Sequence, residues 1–180
     1  SLLWWRRLEP VFLGYHVGLG LVLPLACGWR ASDLRRRGLA AGAVLGLVFG
    51  LAPLAAWRLM PDVFPDAARL ADVLTGWQLD PARPGWALVF LAVVNGPAEE
   101  VLWRSWLPSR LGTGRLTLGI LAVLFTSYHA VTIGALAPSP GGVALMLGSV
   151  LGAAIFWTWT RRRFATLWPA LLTHAGATLG

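Results

Sequence analysis

The chain has 180 residues, of which 57% are hydrophobic and 13% charged, with a formal net charge of +7. An ordinary soluble domain carries about 25% charged residues, so composition excludes a water-soluble globule, and the length fits one helical membrane domain spanning 1–180. The positive charge does not mark a nucleic-acid partner, because the basic residues stand in short clusters between apolar runs and not along one soluble face; the expected partner is the lipid bilayer.

Apolar runs broken by arginines, Pro and Gly give six expected spans, at 11–29, 38–60, 86–107, 115–137, 141–160 and 164–180, where crossing a bilayer takes roughly 20 residues. The chain begins at Ser1 and stops at Gly180 within an apolar run, so trimmed ends are expected. The first run has no clear cleavage site and more spans follow it, so no removable signal is expected. His16 has no polar neighbour at helical spacing and reads as a structural histidine. Cys27 is the sole cysteine, which excludes an internal disulfide and a thiolate metal site and leaves an apolar filler.

Arg30, Arg35, Arg36 and Arg37 follow the first span. The second carries Gly42, Gly46 and Gly50, and the fifth Gly148 and Gly152; such four-residue spacing lets helices approach closely. The 60–85 connector holds Asp62, Asp66, Asp72 and Asp80 with Pro61, Pro65, Pro81 and Pro84, and predicts a short amphipathic surface helix with turns. Arg110 and Arg115 follow the third span and Arg161, Arg162 and Arg163 the fifth. By the positive-inside rule the three arginine-bearing connectors are cytoplasmic, whereas the acidic loop and the uncharged Ala137–Gly141 turn lie outside. Every basic residue is Arg and none is Lys, a bias that points to a GC-rich bacterial genome and hence a bacterial plasma membrane.

The third span contains Asn95-Gly96-Pro97-Ala98-Glu99-Glu100, then Arg104 four residues after Glu100. A charged side chain at mid-membrane costs roughly 2.5–3.5 kcal/mol on the insertion scale, so two adjacent carboxylates need a reason. Glu100 and Arg104 are i and i+4 on one face, acid first, which suits an ion pair. Glu99 is turned about 100° away and is left without that partner, free for chemistry. Asn95-Gly96 predicts a helix break with Pro97 in the first position, which would put both carboxylates at the positive end of the helix dipole. His129, with Phe125 one turn earlier, and His174, with Thr178 one turn later, are the other anomalies. Counted from the cytoplasmic ends, Glu99, His129 and His174 lie roughly 14, 21 and 16 Å deep, close enough to share one layer and a polar cavity.

At these residues the sequence resembles the CPBP family of intramembrane proteases, which includes the CAAX prenyl endopeptidase and Abi-like immunity proteins. Glu99, Glu100 and Arg104 match its Glu-Glu-x-x-x-Arg element, Phe125 and His129 its Phe-x-x-x-His element, and His174 its last histidine; Thr178 stands where Asn is usual. The resemblance covers about 86–180 and implies an all-α polytopic bundle with a buried polar active-site cavity. It also implies an endopeptidase acting on membrane-associated or lipid-anchored protein substrates. In that scheme Glu99, helped by His129, activates water; His174, assisted by Thr178, stabilises the oxyanion; and Glu100 and Arg104 hold the helix. No cofactor is implied. One Glu and two His also make the ligand set of a catalytic zinc site, but no His-Glu-x-x-His helix is present. Cys27 is two spans from the motifs and Ser127 faces away from His129, so neither reads as a nucleophile. A non-enzymatic immunity or scaffold protein, and a proton-coupled transporter built on a Glu/His relay, are the competing readings.

Overall fold

The computed structural model describes residues 14–29, 34–76 and 91–179, and their regular structure is entirely helical. α1 is Gly14–Ala26, α2 Leu39–Leu59, α3 Ala67–Gly76, α5 Arg115–Leu136, α6 Pro140–Phe164 and α7 Trp168–Leu179. α4 covers 91–111 and alternates wide π turns (Leu91–Asn95, Val101–Trp106) with α turns (Gly96–Glu100, Leu107–Leu111). By length and composition α2, α5 and α6 can each cross a bilayer.

Local chemistry sets the boundaries. Ser139 caps α6 by accepting a hydrogen bond from Gly142 N at 3.1 Å, with Pro140 in the first turn where a missing N–H costs nothing. Gly112, at φ 105°, lets the chain leave α4 in a conformation that a side chain would strain. Asp66 accepts from Arg69 N at 2.7 Å and opens α3, the exposed amphipathic helix of the acidic connector. Residues 77–85 of that connector lie outside the described residues.

One expectation fails at α4. Asn95 has helical angles (φ −64°, ψ −57°), so the helix does not break before Pro97. The wide π turn that precedes Pro97 absorbs the missing N–H, a common way for a helix to carry such a residue. Glu99 and Glu100 therefore sit within a continuous helix and depend on side-chain partners, not on a helix end, to offset their charge.

The glycines of α2 make its contact with α7. A Cβ on Gly46 would stand 2.8 Å from the Leu172 carbonyl oxygen, and one on Gly176 would run into the Gly46 carbonyl. Gly148 and Gly152 of α6 face open space and mediate no such approach. Gly20 of α1 seats on Ala98 of α4, where an added Cβ would be 2.6 Å from the alanine methyl. Phe125 and Trp157, with Ala122, Ala154 and Ala170, form the buried apolar centre where α5, α6 and α7 meet.

The polarity is inverted relative to a soluble globule. Leu47 and Val131 are 70% and 78% exposed, while Glu99 and Glu100 are almost fully buried, the arrangement expected where lipid is the outer solvent. The three arginine-bearing connectors share one end: Thr166 donates to Arg35 O (2.7 Å), Trp168 to Leu34 O (3.0 Å) and Arg110 to Cys27 O. The acidic connector meets the opposite end, where Arg69 donates to Leu136 O (2.8 Å) and Ala135 O (3.0 Å).

Candidate active site

α4 delivers the two carboxylates to the centre of the bundle. Glu99 and Glu100 are 1% and 0% exposed, and Arg104 5%. As helical spacing requires, Arg104 lies one turn after Glu100, with its Nη1 3.5 Å from Glu100 Oε1. The guanidinium rests 4.0 Å over the Phe125 ring and 5.2 Å from that of Trp157, so its second face is met by aromatic π-density and not by hydrocarbon.

α7 brings His174 between the two acids. Its Nδ1 is 2.8 Å from Glu100 Oε1 and its Nε2 3.4 Å from Glu99 Oε2. A carboxylate oxygen accepts from Nδ1–H, so either Nε2 or Glu99 carries the proton between that second pair. The Trp157 indole stacks on the imidazole at 4.2 Å and 10°, which fixes the ring plane.

Glu99 is not partnerless, contrary to its helical position taken alone. His16 Nε2 lies 3.1 Å from Glu99 Oε1, with both side chains buried, and the Tyr128 hydroxyl donates to the same oxygen. His16, which has no polar neighbour at helical spacing on α1, finds one on another helix. α1 is held in place by Trp103, which donates to the Tyr15 hydroxyl at 2.8 Å, and by Trp29, which donates to Ser105 at 2.9 Å. The consequence is asymmetry at the carboxylate. Oε1 takes two donors, whereas Oε2 accepts no hydrogen bond among the described residues and faces His174.

His129 is half-buried beside Tyr128 and Phe125, with ring centroids 4.1 and 4.7 Å away. Its Nδ1 is 2.8 Å from the Phe125 carbonyl; because that oxygen only accepts, Nδ1 carries the proton, and in the neutral ring Nε2 holds the lone pair. His129 interacts electrostatically with Glu99 and His174, although no hydrogen bond joins it to either. Thr178 donates to the His174 carbonyl at 3.0 Å, a bond within its own helix. Asn95, one turn before Glu99 on α4, is buried with Oδ1 accepting no hydrogen bond among the described residues.

Of the residues singled out from sequence, Arg104 contacts Glu100 and His174 contacts both Glu99 and Glu100, His129 stands beside them, and Thr178 bonds the backbone of His174. His16, Tyr128, Tyr15, Trp103 and Trp157 were missed. The two tryptophans carry no local signal in a chain with eleven of them, and Tyr15 and Tyr128, its two tyrosines, lack the membrane cost of a charged group, but His16 carried the same polarity anomaly that marked the other two histidines. No set of three or more His, Cys, Asp or Glu side chains among the described residues is grouped to hold a metal ion.

A family model described as type II CAAX prenyl endopeptidase, Rce1-like, matches residues 81–180, the stretch that carries both glutamates and the histidines of α5 and α7. No curated protein and no solved structure matches.

Proposed function

Because the chain belongs to the Rce1-like, type II CAAX prenyl endopeptidase family of proteases, we propose that this integral membrane protein is a glutamate-dependent intramembrane endopeptidase cleaving membrane-associated or lipid-anchored proteins. The observation that carries this reading is the held carboxylate of Glu99: Oε1 is fixed by His16 and Tyr128, and Oε2 faces His174. In this scheme Oε2 takes a proton from water as hydroxide adds to the scissile carbonyl, and returns it to the departing amine. His129, through Nε2, helps to orient that water. His174 Nε2–H steadies the oxyanion, Glu100 and Arg104 hold His174 and the helix, and Thr178 supports His174 through its backbone.

α1, α2, α4, α5, α6 and α7 are read as the six membrane-crossing helices of a single domain in a bacterial plasma membrane, with the arginine end cytoplasmic. The acid-histidine cluster then lies at depth, reached by water through a polar cavity open to one side. The surroundings of the two carboxylates support their depth: one guanidinium and three imidazoles stand around them, and without such partners burial would be prohibitive.

Cleavage of a quenched membrane-anchored peptide by reconstituted protein tests the proposal. Glu99→Gln, which keeps shape but removes the base, is expected to lower kcat by about 10²–10⁴-fold, and a zinc chelator to leave the wild-type rate unchanged. Equal activity of wild type and Glu99→Gln overturns the glutamate mechanism. No cleavage by either protein supports a scaffold or immunity role, and proton flux that needs Glu99 without cleavage supports a transporter.

A further inference from the structure

At the arginine end, α5 and α6 leave between them a groove of about 540 Å³ that is separate from the acid-histidine cluster. Arg115, from the start of α5, and Arg162 and Arg163, from the end of α6, stand at its mouth, and Leu118, Ile155 and Trp159 line its walls. The three arginines are exposed, and Ile155 and Trp159 are 55% and 53% exposed.

No carboxylate among the described residues pairs with these guanidiniums. Glu99 and Glu100 are buried with their own partners. Asp62, Asp66 and Asp72 belong to the connector at the opposite end, about 33 Å away along the 22 residues of α5. The C-terminal dipole of α6 offsets part of the charge of Arg162 and Arg163, but Arg115 sits at a helix start, where the dipole is unfavourable to a cation. Three cations from two helices thus meet at one rim, above apolar walls that run along the bundle toward the hydrocarbon. Guanidinium forks match phosphate oxygens, a Trp at this level is an interfacial anchor, and an apolar channel suits an acyl chain.

We propose that this groove is a binding site for one anionic phospholipid, its phosphate held by Arg115, Arg162 and Arg163 and an acyl chain laid against Leu118, Ile155 and Trp159. A free phosphate would use the arginines but not the channel. A diffuse attraction of basic connectors to an anionic surface would use all arginine clusters alike.

The full chain in nanodiscs of phosphatidylcholine, doped with phosphatidylglycerol brominated on its acyl chains, tests the site through quenching of tryptophan fluorescence. The difference between wild type and Trp159→Phe isolates the groove. The expected result is quenching of Trp159 at low phosphatidylglycerol fractions, and far less with brominated phosphatidylcholine. A charge-assisted hydrogen bond to the phosphate is worth about tenfold or more, so Arg115→Gln/Arg162→Gln/Arg163→Gln should weaken the response by on the order of 1,000-fold. Arg35→Gln/Arg36→Gln/Arg37→Gln removes equal charge from the same end and should leave it largely unchanged. Equal quenching by the two lipids, equal effects of the two triple variants, or loss of quenching on adding inorganic phosphate would each overturn the proposal. Size-exclusion profiles of the variants confirm that a loss reflects binding and not unfolding.

Discussion

Replacing His16 by Leu removes a buried donor to Glu99 Oε1 at 3.1 Å while keeping an apolar side chain against its neighbours. A hydrogen bond to a charged group is worth about 1.5–3 kcal/mol, and each 1.4 kcal/mol is about tenfold in rate. If that bond holds Glu99 in its reactive orientation, kcat should fall by about 10–150-fold. KM should stay near wild type, because His16 touches Glu99 and not the substrate. Glutamine can donate from an amide nitrogen near the position of Nε2, so His16→Gln should recover most of the loss, whereas the shorter Asn should not. If His16 acts through Glu99 alone, Glu99→Gln/His16→Leu should be no slower than Glu99→Gln. The assay is steady-state cleavage in proteoliposomes, with thermal unfolding recorded on the same preparations. An unchanged kcat in His16→Leu, or additive losses in the double variant, would refute the reasoning.

Arg104→Leu strips Glu100 of its guanidinium within a closed interior, and breaking a buried pair from one side costs about 3–5 kcal/mol; thermal unfolding in detergent should shift sharply down, and an unshifted transition would show that His174 alone suffices. Gly176→Ala pushes a methyl into the Gly46 carbonyl and should destabilise by about 1–3 kcal/mol in the same measurement, while Gly148→Ala, which meets nothing within 4 Å, should be neutral. Thr178→Ala should keep kcat within about fivefold, since the hydroxyl bonds its own helix backbone and such local bonds are worth about 1 kcal/mol or less. A hundredfold loss would instead place that hydroxyl at the reacting oxygen.

What could be read from sequence was whatever helical period or membrane cost makes local. The Glu100–Arg104 pair follows from i,i+4 spacing, the packing of Phe125 on His129 from the same rule, and the exposed helix of the acidic connector from its acidic, proline-bounded polarity. The glycine spacing of α2 marked a real close approach, but the same spacing in α6 did not, because a small residue permits contact without supplying a partner. The contact between His16 and Glu99 joins residues 83 positions apart, and nothing local to α1 encodes it. The expected break at Asn95 failed because a π turn carries Pro97 without ending the helix, an accommodation that residue propensities do not reveal.

The family-matched stretch leans on what precedes it. Both α1, which reaches Glu99, and α2, whose bare backbone at Gly46 seats α7, precede residue 81. A chain cut at 80 and supplied as two polypeptides should therefore regain its shape only when both pieces enter the same bilayer, with the first piece acting as a template against which the second is assembled.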